Sequence, residues 1–387
     1  MLQIKLSGIK YMESFAHKDP QIISLSQGSL KVGGIPKQIK EYIQQMLNTD
    51  KTDYYTNTYG IPLLREKLSA TLSKKNNVAI SPEQILVTHG SSGAISNIFL
   101  ALLEKGDEVL LPEPTYPSYA KLAQIAQAKP VFVSCLKDSN SSEVNWEIDI
   151  EKIKKATTSK TKIITVANPS NPTGIIIPPK ILNELVNWCE EKNIYLVCDE
   201  VYDDYIFDGE FQSSTKFINK SSHVIRCGSF SKNFSMSGWR VGYLVAPQKL
   251  IPTLSAIQDT LIVCPSVIAQ YAALYALDHP ELTKTFKEQI HNNLILTNKM
   301  LTPLVNSGII SYKMPKSSFY LFLKNKVNDS TNLCFEIMQK SKVTIVPGES
   351  FGPSGKPFMR ICYARERHIL EKGLNNLLNY FENYWDK

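Results

Sequence analysis

Lys232 stands in a run of residues suited to an amine nucleophile. It follows the apolar segment 224–227, the hydroxyls of Ser229 and Ser231 flank it, and Arg240 comes eight residues later. A lysine in a poorly solvated, cation-rich pocket has a lowered pKa, and its neutral amine can form a Schiff base. The hydroxyls and the guanidinium would bind a dianionic phosphate. A solvated lysine in a surface loop is the alternative interpretation.

Asp199 ends the apolar run 194–198, and Tyr202 follows three residues later. A carboxylate beside a buried strand needs a hydrogen-bond donor or a cation as its partner. The protonated ring nitrogen of a heteroaromatic cofactor is one such partner. A helix cap or a structural ion pair is the alternative.

The segment Gly90-Ser91-Ser92-Gly93 lies between a predicted strand at 85–88 and a helix predicted to run to Leu103. Free backbone N–H groups, the helix dipole and the two hydroxyls suit a phosphate group. Taken alone, the segment fits an ordinary N-cap better.

A scaffold that brings these three segments together is indicated by the pattern of apolar residues. Short β-branched runs alternate with helical patterns between about residues 60 and 250. This alternation predicts an α/β fold with a mainly parallel sheet that is covered on both faces. Ligands of such sheets bind outside the carboxyl ends of the strands, which is where all three segments are expected.

The pattern changes near residue 265. A long helical region is predicted up to residue 304, with strands at 319–323 and 358–363 and a helix at 332–341 between them. These elements predict a smaller α+β domain, which the first 45 residues are expected to join. We therefore predict a large domain at 46–285 and a small domain formed by 1–45 and 286–387.

Composition excludes several classes of protein. The 387 residues are 43% hydrophobic and 20% charged, as in folded soluble proteins, and the length suggests two to three domains. No apolar run is long enough to span a membrane, and the N-terminus does not resemble a secretory signal. Seven cysteines without a C-x-x-C pair predict reduced thiols in a cytoplasmic protein, and the dispersed histidines predict no metal site.

The net charge of +7 is spread along the chain. Its densest stretch, residues 152–162, carries five lysines without interleaved aromatic residues. A solvated helix face explains this stretch better than a nucleic-acid site, so we predict neither nucleic-acid nor membrane partners. The charge is compatible with small anionic substrates.

The motifs together resemble the class I/II pyridoxal-phosphate-dependent aminotransferases of fold type I, related to aspartate and aromatic aminotransferases. The resemblance extends from residue 25 to residue 360. Its motifs, in the order and spacing of the family, are 55–62 (Tyr-Thr-Asn-Thr-Tyr-Gly-Ile-Pro), 114–117 (Pro-Thr-Tyr-Pro), 168–174 (Asn-Pro-Ser-Asn-Pro-Thr-Gly), 199–202 (Asp-Glu-Val-Tyr), 229–232 (Ser-Phe-Ser-Lys) and 238–240 (Gly-Trp-Arg). It implies a large domain with a mainly parallel seven-stranded sheet, plus a smaller α+β domain.

The resemblance also implies roles for individual residues. Lys232 would form the internal aldimine with pyridoxal 5′-phosphate and then move the proton between the substrate Cα and the cofactor. Asp199 would pair with the pyridine nitrogen and keep the ring an electron sink. Asn171 and Tyr202 would hydrogen-bond the phenolic oxygen of the cofactor, and Tyr116 would stack on its ring.

Phosphate and substrate contacts follow from the same resemblance. Arg360 would clamp the substrate α-carboxylate, with help from Asn171 and from the backbone of Gly28. Without the family, a cross-strand ion pair on an exposed sheet would be the favoured interpretation of Arg360. Tyr55 would reach the phosphate bound by the partner subunit, which implies a homodimer with sites at the interface. The phosphate would be held within one subunit by Ser91, Ser92, Ser229, Ser231 and Arg240.

Departures from the family concern the substrate. An aspartate-using branch has a lysine where this chain has Ser91-Ser92-Gly93, and its absence weakens the case for an acidic donor. The motif usually read Gly-Ala-Phe-Tyr is Ser-Ser-Phe-Tyr at 317–320, and the segment 27–29 lacks the common acidic residue after its glycine. Both places line the substrate side-chain region in the family.

Three functions remain open on the sequence. An aminotransferase of amino-acid metabolism, with an amino acid and a 2-oxo acid as substrates and a biosynthetic role, is the leading one. A lyase that catalyses β-elimination would use the same cofactor residues. A non-catalytic regulator is the third, although no helix-turn-helix segment precedes residue 25.

Overall fold

The computed structural model describes residues 4–137 and 144–384. Its strands are β1 (Ile23–Ser24), β2 (Ile85–Thr88), β3 (Glu108–Glu113), β4 (Lys129–Ser134), β5 (Thr161–Ala167), β6 (Tyr195–Asp199), β7 (Val224–Ser229), β8 (Gly242–Val245), β9 (Ile310–Ser311), β10 (Tyr320–Asn325), β11 (Val343–Thr344), β12 (Val346–Pro347) and β13 (Phe358–Cys362). Its helices are α1 (Gly8–Lys18), α2 (Lys37–Met46), α3 (Pro62–Asn76), α4 (Gly90–Leu102), α5 (Ser118–Ile125), α6 (Ile150–Ala156), α7 (Pro179–Lys192), α8 (Phe230–Asn233), α9 (Ile251–Ile262), α10 (Val267–Asp278), α11 (Lys284–Asn306), α12 (Ser330–Ser341) and α13 (Arg367–Tyr384).

Within the described residues, seven strands form the large sheet in the order β2-β8-β7-β6-β5-β3-β4. Strand β8 runs antiparallel to both of its neighbours, and the other pairs are parallel. The predicted mainly parallel seven-stranded sheet is therefore confirmed. Because β5, β6 and β7 run the same way in register, their carboxyl ends meet at one edge of the sheet.

Both faces of the large sheet are covered, as the continuous apolar strands predict. In β6, Leu196 and Cys198 pack into the core formed with α3, α7 and α10, whereas Val197 faces the core formed with α4, α5 and α9. All three side chains are fully buried. Successive side chains of a strand point to opposite faces, so a strand between two helical layers must be apolar throughout.

A smaller α+β region contains the sheet β12-β13-β10-β9, whose strands are antiparallel, and the helices α11, α12 and α13. The N-terminal segment joins this region, because β1 pairs with β11 and the Leu25 carbonyl accepts a hydrogen bond from the Cys362 amide at 2.8 Å. Farther along, Ile39 and Ile43 of α2 pack into the core that contains α3 and α10. The domain boundaries at 45/46 and 285/286 stay a prediction.

The long helix predicted from residue 265 to residue 304 is two helices. Helix α10 ends at Asp278, a short 3₁₀ turn occupies Pro280–Thr283, and α11 begins at Lys284. Proline has no backbone N–H to donate, so it interrupts a helix and suits the first residue of a new one. Among the described residues, the longest apolar helical stretches fall short of what a bilayer crossing requires.

Candidate active site

A cavity of about 570 Å³ opens at the carboxyl edge of the large sheet, between that sheet, the smaller region and the N-terminal segment. All but one of the predicted site residues line it: Gly28, Ser91, Ser92, Tyr116, Asn171, Asp199, Tyr202, Ser229, Ser231, Lys232, Arg240 and Arg360. The exception is Tyr55, which is 83% exposed and lines a surface depression elsewhere with residues 264–268.

Lys232 is placed by the turn from β7 into the short helix α8. Ser229 caps this helix, since its hydroxyl accepts a hydrogen bond from the Ser231 amide at 3.1 Å. The Lys232 ammonium donates to the Gly28 carbonyl. Burial lowers the pKa of Lys232 to about 8, and the charges of Arg360 and Arg240 act in the same direction. The lysine is therefore a cavity residue with an accessible neutral form, and the surface-loop interpretation is wrong.

Asp199 ends β6 and is 5% exposed. Its Oδ2 accepts a hydrogen bond from the Tyr119 hydroxyl at 2.7 Å, and its Oδ1 has no hydrogen-bond partner among the residues that the structure describes. Burial raises the pKa of Asp199 to about 6, against the lowering effect of the bond from Tyr119. An unpartnered buried oxygen on a cavity-lining carboxylate fits a cationic ring N–H that would complete its hydrogen bonding.

The start of α4 and Arg240 together form a cup rich in donors. Gly90 has φ +72°, and a Cβ there would lie 2.8 Å from Nη2 of Arg240, so only glycine allows this approach. The residue before α4, His89, gives the helix no side-chain cap. Arg240 donates to the Ser237 carbonyl at 2.7 Å, and no ion pair joins it to an acidic residue in the described part of the chain. The cup therefore retains donors and positive charge for an anion.

Arg360 lies in β13 and is fully buried. It donates through Nη1 to Oδ1 of Asn171 at 3.0 Å and through Nη2 to the Ser26 carbonyl, whereas its Nε has no hydrogen-bond partner in the described part of the chain. Its Cζ lies 4.3 Å from the ring centre of Tyr320 and 5.0 Å from that of Phe351. No acidic side chain pairs with it among residues 4–137 and 144–384. The cross-strand ion pair on an exposed sheet is therefore wrong for Arg360.

Two tyrosines of the site were missed by the sequence analysis. Tyr119 holds Asp199, and its only signal is its position three residues after Tyr116, in the first turn of α5. Tyr320 begins β10, lies under the Arg360 guanidinium, and its hydroxyl is 2.7 Å from that of Tyr202. The resemblance places the segment 317–320 in the substrate side-chain region, but no local sequence pattern predicts that Tyr320 extends this far into the cavity.

Helix α1 also contributes unexpectedly to the cavity, through Lys10, Glu13 and His17, together with its N-cap residue Ser7. Glu13 is 3% exposed and accepts hydrogen bonds from the hydroxyls of Ser24 and, at 2.8 Å, Ser26. Lys31 lines the same cavity with its ammonium 3.7 Å from Glu13. The apolar pattern of α1 gives no hint of this position.

The chemistry of these groups fits one kind of cofactor. The amine of Lys232 suits an aldehyde, the free Oδ1 of Asp199 suits a protonated ring nitrogen, and the cup around Gly90 suits a phosphate. Pyridoxal phosphate carries all three groups on one ring. No group of histidine, cysteine and carboxylate side chains in the described residues is arranged to hold a metal ion. The fold and the cavity define a pyridoxal-phosphate-dependent enzyme of fold type I.

Comparison with known proteins identifies the family. The family described as aminotransferase class I and II matches residues 20–377. The chain is 32% identical to a probable aspartate aminotransferase of Methanocaldococcus jannaschii, over 98% of each chain, and 30% identical to aromatic-amino-acid aminotransferase 2 of Thermococcus litoralis, over 96% and 94% of the two chains. The structure of aspartate aminotransferase from Thermus thermophilus with maleate superposes with a TM-score of 0.89 at 28% identity, over 97% of each chain.

The chain therefore belongs to the class I and II aminotransferases. It is a pyridoxal-phosphate-dependent transaminase that transfers an amino group between an amino acid and a 2-oxo acid. This membership favours transamination over the lyase and regulator alternatives.

Proposed function

We propose that this transaminase uses Lys232 as its proton-transfer residue and as the attachment point of the cofactor. Pyridoxal phosphate, when bound, supplies the electron sink that allows a proton to leave the substrate Cα. The neutral amine of Lys232 takes the proton from Cα and returns it to the cofactor carbon that carried the aldehyde. The lowered pKa of Lys232 supports this role, because a base that works near neutral pH needs a substantial neutral fraction.

The remaining cavity residues hold the cofactor in this proposal. Asp199 pairs through Oδ1 with the ring nitrogen, while Tyr119 fixes the carboxylate from the other side. Asn171 and Tyr202 hydrogen-bond the phenolic oxygen, and Tyr116 covers the ring face. The phosphate is bound by the start of α4 and by hydroxyl and guanidinium groups, namely Ser91, Ser92, Ser229, Ser231 and Arg240.

The observation that carries the substrate proposal is Arg360, a fully buried arginine without an acidic partner in the described residues. Its planar fork can bind both oxygens of an α-carboxylate once the Ser26 carbonyl gives way. Gly28 lines the same cavity. A carboxylate held there fixes which bond of Cα stands perpendicular to the cofactor ring.

Replacing Arg360 with alanine is expected to separate substrate binding from cofactor binding. Truncating one partner of a buried, bidentate charge pair costs on the order of 2–5 kcal/mol. We expect kcat to fall and KM to rise together, because the clamp also orients the substrate. Steady-state kinetics with an amino acid and with the matching amine, which lacks the carboxylate, measure the effect.

Arg360→Lys is the matched control, and it should recover only part of the loss because a point charge cannot reproduce the fork. Cofactor absorbance should stay at the wild-type level in both variants. If Arg360→Ala impairs the amine as much as the amino acid, Arg360 is not the clamp.

We further propose that one substrate pair is dicarboxylic. The cavity holds two lysines besides Lys232, namely Lys10 and Lys31. Glu13 accepts hydrogen bonds from two serine hydroxyls and also pairs with Lys31 at 3.7 Å, whereas no ion pair of Lys10 is present in the described residues. Two ammonium groups at the mouth would attract and bind a distal carboxylate, and the net charge of +7 acts in the same direction. Relatives named as aspartate aminotransferases support this choice.

A panel of amino acids mixed with the holoenzyme, without an oxo-acid acceptor, tests the proposal. We expect aspartate or glutamate to convert the cofactor to its amine form with at least about tenfold higher efficiency than aromatic or aliphatic amino acids, since one carboxylate–cation pair contributes on the order of 1.4 kcal/mol or more. Lys31→Met should raise KM for the acidic donor alone. Lys18→Met, on the exposed end of α1 outside the cavity, is the control.

One outcome would contradict the proposed dicarboxylic substrate, and another would contradict transamination itself. Equal or better conversion of aromatic donors would remove the dicarboxylic proposal and leave the transaminase intact. Release of pyruvate and ammonia, in place of the amine form of the cofactor, would reveal lyase chemistry.

We also propose a homodimer in which Tyr55 of the partner subunit contacts the bound phosphate. Tyr54 and Tyr55 are 74% and 83% exposed on a depression shared with residues 264–268. The residues just before that segment, Leu261, Ile262 and Val263, are exposed as well. Exposed apolar clusters of this kind mark protein interfaces.

A cytoplasmic location and a biosynthetic role in amino-acid metabolism complete the proposal. All seven cysteines are free thiols, and all but Cys264 are buried. Unpaired thiols are typical of a reducing compartment.

A further inference from the structure

The segment 24–29, called the N-terminal strap below, presents backbone carbonyls to the two basic residues of the site. The Ser26 carbonyl accepts a hydrogen bond from Arg360, and the Gly28 carbonyl accepts one from Lys232. The conformation of the strap therefore decides where both cations rest before a substrate arrives. The strap itself has little regular structure to hold it, because β1 ends at Ser24.

Arg365 binds more carbonyls of the strap than any other described side chain, beside the bonds of Glu13 to the hydroxyls of Ser24 and Ser26 and the backbone bonds of Leu25. It lies beyond the end of β13, is 2% exposed, and makes no ion pair with an acidic residue in the described ranges. Its guanidinium donates instead to three strap carbonyls, those of Ser24 at 2.7 Å, Gln27 at 2.6 Å and Ser29 at 3.0 Å.

Other contacts fix Arg365 in turn. Its Nη1 also donates to the Ala364 carbonyl at 2.9 Å. The buried amide of Asn293 donates to the backbone carbonyls of Tyr363 and Arg365 at 2.9 and 2.8 Å. A buried charge is costly unless its donors are satisfied, and here backbone carbonyls of one loop satisfy them. Because this buried guanidinium binds the segment that also contacts Lys232, we infer that it affects the active site as well as the stability of the fold.

We propose that Arg365 is a positioning residue, which sets the conformation of the N-terminal strap and thereby holds Arg360 and Lys232 ready for the substrate carboxylate and Cα. Three of the strap's carbonyls point to Arg365 and two point to the site, so fixing one set orients the other. The three carbonyls are bound by three different nitrogens, Nε, Nη1 and Nη2, so the spread of donors along a planar guanidinium matches their separation. The inference rests on the proposed clamp role of Arg360.

The test compares Arg365→Met and Arg365→Lys with wild-type holoenzyme. We expect Arg365→Met to raise KM for the amino donor at least tenfold and to weaken binding of its α-methyl analogue, which cannot lose a Cα proton, by a similar factor. KM for the amine that lacks the α-carboxylate should change less than threefold, whereas kcat should fall for both substrates because the Lys232 amine loses its position as well. Arg365→Lys should fall between the two, because the donors of an ammonium radiate from one nitrogen and cannot span carbonyls that three separate guanidinium nitrogens bind.

Arg367→Ala is the matched control. Arg367 is two residues farther on, its side chain is 66% exposed, and it pairs with Glu371 at 2.9 Å. We expect kcat and KM of Arg367→Ala to equal those of the wild type. Thermal unfolding of each holoenzyme shows how much of any loss is general destabilisation, and if Arg365→Met does not fold, Arg365→Lys and Arg365→Gln provide the comparison.

A merely structural role predicts a different result. Variants with a lower Tm, but with unchanged KM and unchanged affinity for the α-methyl analogue, would overturn the proposal. Equal changes in KM for the amino acid and for the amine would overturn it too. Failure of the clamp assignment would instead appear in Arg360→Ala with Arg365 intact, so the two failures are distinguishable.

Discussion

Replacing Lys232 with alanine is expected to lower turnover by about 10⁴-fold or more, because general acid–base catalysis and covalent attachment are lost together. The cup at the start of α4 does not involve the lysine amine, so cofactor binding should persist. Steady-state kinetics and the absorbance of the bound cofactor measure the two effects separately. The absorbance should shift to that of a cofactor without a covalent link to the protein.

Borohydride reduction gives this prediction a positive control. In the wild type it should fix the cofactor to the peptide that contains Lys232, and in Lys232→Ala no peptide should be labelled. A small primary amine added to the variant should restore part of the activity, because the cavity would then have room for it. Labelling of Lys10 or Lys31 in the variant, with activity retained, would show that another amine is the functional one.

Asp199→Ala is expected to reduce turnover by about 10²–10⁴-fold at saturating cofactor, since a neutral pyridine ring is a much poorer electron sink. The free energy of unfolding of the apoenzyme should rise or remain almost unchanged. Asp199 carries a buried oxygen without a hydrogen-bond partner, and burial raises its pKa to about 6. Removing the carboxylate relieves a desolvation cost but leaves the buried Tyr119 hydroxyl without its acceptor, so the two effects offset each other.

Two variants separate the charge of Asp199 from its shape. Asp199→Asn keeps the volume but loses the anion, and it should be nearly as slow as the alanine variant. Tyr119→Phe removes the hydrogen bond to Oδ2 and should slow the enzyme far less, because the carboxylate remains. Turnover close to the wild type in cofactor-saturated Asp199→Asn would rule out the proposed pairing with the ring nitrogen.

Much of the scaffold was predictable because its signals are local or topological. The continuous apolar run before Asp199 indicated a strand buried on both faces, and β6 is such a strand. Parallel strands bring their carboxyl ends to one edge by geometry alone, so the gathering of Ser91, Asp199 and Lys232 around one cavity needed no knowledge of the packing. The motifs then indicated the family, which the comparisons confirm.

Other features of the site were decided only by tertiary structure. The local sequence around Arg360 favoured an exposed residue in a cross-strand ion pair. Arg360 is instead fully buried, since the N-terminal strap lies against β13 and supplies the Ser26 carbonyl from far away in sequence. Tyr119 meets Asp199 across 80 positions, and Glu13 reaches Ser26 only after α1 docks.

The physical reason for this division lies in the range of the interactions. Apolar periodicity of 2 or 3.6 residues indicates which face of one element is buried. The sequence by itself therefore determined the buried faces, the edge of the sheet at which the strands end, and the residue types at the site. The partner of a buried polar group depends on which distant backbone arrives beside it, and neither periodicity nor spacing encodes that arrival. For Arg365, the chain beyond β13 and the N-terminal strap meet only in the folded molecule, so packing alone decides that three carbonyls bind one guanidinium.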